Sequence, residues 1–86
     1  MESEQNFLLD VILPKVQALQ IEVFKMGTHH FHVDGGTYFS GRVSYDVAIF
    51  DDSPSIVFKA DFSSSDSEDE LGETYNKLYE FVKHKM

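Results

Sequence analysis

IEVFKMGTHHFHVDGGTYFSGRVSYDVAIFDDSPSIVFKADF, residues 21–62, is the stretch whose reading decides the fold. Every second position from Ile21 includes Val23, Phe31 and Val33. From Phe39 the same step includes Val43, Tyr45, Val47 and Ile49, and from Ile56 it includes Phe58, Ala60 and Phe62. Alternation of period two, rich in β-branched and aromatic residues, marks strands buried on one face. The reading is three strands, over about 20–33, 37–50 and 55–62.

The turns set the registers. Asp34-Gly35-Gly36 separates the first two runs, and a three-residue loop there sets Val33 opposite Thr37 and Phe31 opposite Phe39. It also sets Val23 opposite Val47 and Ile21 opposite Ile49. A two-residue loop would turn every side chain to the wrong face, so it is rejected. Asp51-Asp52-Ser53-Pro54 makes the second turn. Four loop residues place Ile49 opposite Ile56, Val47 opposite Phe58, and Asp46 opposite Lys59.

Helices flank the strands. Leu8, Leu9, Ile12, Val16 and Leu19 form one helical stripe, with Ser3 as a cap and Pro14 on the opposite side. The expectation is one helix over about 4–19, kinked at Pro14. Leu71, Tyr75, Leu78 and Val82 form a second stripe over about 67–85, with Phe81 beside it. Acids in its first turn and Lys83, His84 and Lys85 in its last match the helix dipole. The fold class is therefore α+β: a two-layer αβββα domain, its three-stranded antiparallel meander carrying both helices on one face.

At 86 residues the chain is a single domain that buries roughly 60–65% of its unfolded surface. Its hydrophobic share of 42% is that of a folded chain, and it has no cysteine. No apolar run reaches the roughly 20 residues of a membrane span. Met1-Glu2-Ser3-Glu4 is acidic where a signal peptide is basic, so a cytoplasmic location is expected. The net charge is −8, with ten acids against four bases in residues 44–86. Nucleic-acid binding needs a basic stripe, so a charged partner should be basic.

The order of elements resembles that of double-stranded RNA-binding domains, whose last helix starts with phosphate-gripping lysines. Here that place reads Ser65-Asp66-Ser67-Glu68-Asp69-Glu70, which argues against RNA binding. The string His30-Phe31-His32-Val33-Asp34-Gly35 resembles the His-x-His-x-Asp-His pattern of metallo-β-lactamase-like hydrolases, with Gly35 at the sixth position. His30, His32 and Asp34 are thus the metal candidates, weighed against two polar residues on a solvated strand face. No serine lies in a Gly-x-Ser-x-Gly elbow and Gly35-Gly36 lacks a phosphate-loop lysine, so no enzyme, catalytic residue or cofactor is expected.

Two surfaces remain. The tract Asp66, Glu68, Asp69 and Glu70 is a helix start, capped by Ser65 with Glu68, or an anionic docking surface. Ser65 and Ser67 also have acids downstream, as some phosphorylation sites do. The outward face of the sheet should carry Glu22, Phe24, Met26, His30, His32, Tyr38, Arg42, Asp46, Phe50, Val57 and Lys59. Phe24, Met26, Tyr38, Arg42, Phe50 and Val57 are the candidate partner contacts, being residue types that interfaces enrich. The expected function is a small acidic, non-catalytic adaptor, inhibitor or assembly factor. A phage-type inhibitor imitating nucleic acid is its narrower form. The alternatives are a homo-oligomeric structural subunit and a metal or small-ligand module.

Overall fold

The computed structural model describes residues 7–37 and 41–86. Its elements run α1 (Leu13–Met26), β1 (His30–Thr37), β2 (Val43–Phe50), β3 (Ile56–Ser63) and α2 (Glu68–Glu80). The strands form one antiparallel sheet in the order β1-β2-β3, so the α+β meander expected from the alternation is what the chain adopts. One π-helical turn, Leu8–Ile12, precedes α1, and another, Phe81–Lys85, follows α2.

The first correction concerns residues 20–26, which continue α1 instead of opening a strand. Val23 satisfies both periods, since it lies two residues after Ile21 and four after Leu19. The helix wins because Leu8, Ile12, Val16, Leu19 and Val23 then form one buried stripe. Ile21, expected to face the core, is 56% exposed, and Leu9, placed in the stripe, is 37% exposed. Gly27 ends the helix at φ +74°, the left-handed conformation that glycine adopts without penalty.

Pro14 does not kink the middle of an α-helix. The Leu13 N–H reaches back five residues to the Leu8 carbonyl, closing the π-turn, and Pro14 follows in the first turn of α1. A missing N–H costs least in that first turn. Ser3, the expected cap, lies outside the described residues.

Both hairpin registers differ from expectation by an even number of residues. Phe31 faces Ile49 and Val33 faces Val47, so β1 runs on through Asp34, Gly35 and Gly36 instead of turning there. The connection spans 38–42 and includes Gly41 at φ +87°; the expected partner Phe39 lies outside the described residues. Gly35 passes so close to β2 that a Cβ would overlap the Ser44 carbonyl oxygen and come within 2.8 Å of the Tyr45 Cα. Glycine in a strand commonly marks such a close approach.

In the second hairpin Val47 faces Ala60 instead of Phe58, and a bulge lies at Ile49/Phe50, where Ile49 faces Phe58 and Phe50 faces Ile56. The loop takes five residues because Asp51 organises it. Its carboxylate accepts from the Ser53 N–H (2.9 Å), the Ser53 hydroxyl (2.7 Å) and the Ser55 N–H (2.9 Å). Away from the bulge the slip is even and leaves each side chain on its own face. At the bulge Ile56, expected inward opposite Ile49, stands opposite Phe50 and is 53% exposed.

One hydrophobic core joins the elements. It takes Leu8, Ile12, Val16, Leu19 and Val23 from the first helical segment, and Leu71, Leu78 and Val82 from the last. The strands contribute alternate residues: Phe31, Val43, Val47, Ile49 and Phe62. Polar contacts hold the helices together at their surface. Lys83 pairs with Glu22, and the Lys15 ammonium lies 5.5 Å from the Tyr75 ring centroid. Gln20 donates to the Phe31 carbonyl (3.1 Å), tying α1 to β1.

The start of α2 corrects one further detail. Ser67, not Ser65, is the N-cap: its hydroxyl accepts from the Glu70 N–H (3.1 Å), and Glu70 accepts from the Ser67 N–H (2.9 Å). Ser65 is engaged elsewhere, its hydroxyl 2.8 Å from that of Ser63. Among the described residues, no helix is long and apolar enough to cross a membrane.

Candidate binding face

Side chains alternate along each strand, so the positions left out of the core make the opposite face of the sheet. On β1 these are His30, His32 and Asp34, all exposed. On β2 they are Ser44, Asp46, Ala48 and Phe50, and on β3 Lys59 and Asp61.

The registers align three carboxylates on one rung. Asp34 faces Asp46 across the first ladder, and Asp46 faces Asp61 across the second. Neighbouring strands lie about 4.8 Å apart, so the row crosses the whole sheet within roughly 10 Å. Like charges directly opposite one another destabilise a sheet. The Asp46 carboxyl consequently holds its proton above the usual carboxylate range. Its hydrogen bond with Asp61 is the main cause, followed by desolvation and the charge of Asp61, with Asp34 adding to the effect. Lys59 opposes this from beside the rung but does not face Asp46; it faces Ala48. The cross-strand Asp46–Lys59 pair read from the sequence is therefore replaced by Asp46–Asp61.

Apolar groups adjoin the row. The His32 and Phe50 rings meet edge to face with centroids 5.3 Å apart. Beyond Phe50, at the bulge, Ile56 is 53% exposed and Val57 is partly so. The face thus offers an acidic rung and a small apolar end.

The other sequence candidates are dispersed. Phe24 and Met26 belong to the last turns of α1 and not to the sheet. Phe24 is 82% exposed and lines a recess of about 230 Å³ with Gln20, Phe31 and the histidines at 29, 30 and 32. Glu22, also expected on the sheet, is the partner of Lys83. Arg42 lies exposed just before β2, and Tyr38 lies outside the described residues. Phe50 and Val57 do lie at the sheet's bulged end. In the acidic tract, Asp66 accepts from the Ser63 N–H (3.3 Å) and Glu70 completes the cap, while Glu68 and Asp69 are exposed. Among the described residues no group of three or more His, Cys, Asp or Glu side chains is placed to hold a metal ion, and His30, His32 and Asp34 make none.

Sequence reasoning missed Asp34 and Asp61 as members of the face. Asp34-Gly35-Gly36 has the composition of a turn, and Asp61 holds an outward position whose partner changes with the register. No family model matches the chain, and neither a curated protein nor a solved structure matches it significantly.

Proposed function

We propose that this chain is a small acidic, non-catalytic protein-binding module that docks a basic partner on the outward face of its sheet. The observation that carries the reading is the rung Asp34–Asp46–Asp61. The free protein bears the cost of three carboxylates side by side, which raises the Asp46 carboxyl above the usual range. A lysine or arginine from a partner, seated across the rung, relieves that cost and gains charge-assisted hydrogen bonds. Phe50, Ile56 and Val57 supply apolar contact beside it, as interface centres require. The net charge of −8 steers a basic partner toward the chain. Blocking or scaffolding such a partner needs no reaction centre here.

The test is affinity capture from the source lysate at moderate salt, run with the wild type and with Asp34→Asn/Asp46→Asn/Asp61→Asn. The proposal expects one stoichiometric partner that the triple variant loses. A partner retained equally by the variant, or no partner at all, removes this face as the binding surface.

A further inference from the structure

The first helical segment carries two stripes, and the core uses one of them. The other runs Asp10, Pro14, Gln17, Ile21 and Phe24, at the alternating four- and three-residue spacing of a helix-pairing seam. All five are exposed or half-exposed on the surface, with Phe24 and Ile21 the most exposed large apolar residues among those described. A solvated helix face has no need of an isoleucine and a phenylalanine one turn apart.

The charges of this segment identify the occupant. Residues 7–26 contain four charged side chains: Asp10, Lys15, Glu22 and Lys25. Lys15 lies over the Tyr75 ring and Glu22 pairs with Lys83, so two are engaged within the chain. Asp10 stands exposed in the π-helical turn at one end of the stripe, and Lys25 stands exposed next to Phe24 at the other. Laid antiparallel on a copy of itself, the stripe sets Asp10 against the copy's Lys25 at both ends. The same alignment sets Pro14 against Ile21, and Gln17 against Ala18 at the centre, where the small alanine admits close approach. We propose that α1 pairs with α1 of a second copy in this way, about a two-fold axis near Gln17 and Ala18. The rest of so acidic a surface repels a second copy, whereas this face is self-complementary. The seam residues lie outside the buried stripe of α1.

Sedimentation equilibrium of the full chain, from about 10 μM to about 1 mM, reads the association directly. The proposal expects a mass rising from 9.9 kDa toward twice that value. Phe24→Ser should weaken pairing at least ~10-fold, and Lys25→Asp should do so by a similar factor. Asp10→Lys combined with Lys25→Asp should restore it, because both ends then pair again with reversed sign. Circular dichroism confirms the helices in each variant. A chain that stays at 9.9 kDa throughout overturns the proposal, as does association that ignores Phe24→Ser or is not rescued by the charge swap. Neither result bears on partner binding at the sheet, which the aspartate variants test separately.

Discussion

Asp46 and Asp61 face each other directly across the β2–β3 ladder and share a hydrogen bond that leaves the Asp46 carboxyl protonated above the usual range. Two acids in register are a cost in the free protein. Because the folded-state pKa is raised above the ordinary 3.8, this group's contribution to stability is full below that value. It is lost as pH rises through the raised one. Asp46→Asn should therefore stabilise the protein at neutral pH, by no more than about 0.5 kcal/mol because solvent screens so exposed a pair, and make little difference at pH 3. Urea midpoints at the two pH values check this; equal effects at both would contradict it.

Asp51 works in the opposite sense. Hydrogen bonds from Ser53 and Ser55 hold its carboxyl below the usual range, so its contribution is present above 3.8 and lost as pH falls through the lowered value. Carboxyl NMR titration should place the Asp51 midpoint below the ordinary 3.8, and Asp51→Ala should loosen the β2–β3 loop. Unchanged Ser53 and Ser55 amide shifts in that variant would contradict the assignment.

Gly35 and Gly36 are adjacent in β1 but should respond differently to alanine. A Cβ at Gly35 meets β2 backbone and the Tyr45 ring, whereas one at Gly36 meets nothing within 4 Å. Gly35→Ala should cost about 2–3 kcal/mol or more, and Gly36→Ala should be close to neutral, as denaturant midpoints would show.

Ser67→Ala should cost about 1 kcal/mol by removing the cap of α2, with Ser65→Ala costing less. The reverse order would restore the cap first read from the sequence.

How much of this was legible follows from parity. Val43, Tyr45, Val47 and Ile49 of β2 and Phe58, Ala60 and Phe62 of β3 face the core as expected. They do so although Val47 pairs with Ala60 instead of Phe58, because an even slip preserves faces. Ile56, beyond the bulge, is exposed. What parity cannot reveal is which outward residues are neighbours, and the aspartate rung depends on that. The register was lost through two local readings. Asp34-Gly35-Gly36 has the composition of a turn, yet β1 continues through it with Tyr45 packed against Gly35. Ile21 and Val23 fit strand and helix periods alike. Gly27 as a helix stop and the Leu19–Val23 spacing were the available signals for the helix. Val23→Ala should consequently cost about 1–2 kcal/mol, while Ile21→Ala, at an exposed position, should cost under about 0.5.

The measurement closest to the central claim is the Asp46 carboxyl pKa, followed by carbon-detected NMR in the free protein and in complex with the captured partner. If a partner cation sits across the rung, the pKa raised in the free protein falls on binding to 3.8 or below. An Asp46 titration that is the same in both states would contradict the account, because the partner would then lie elsewhere.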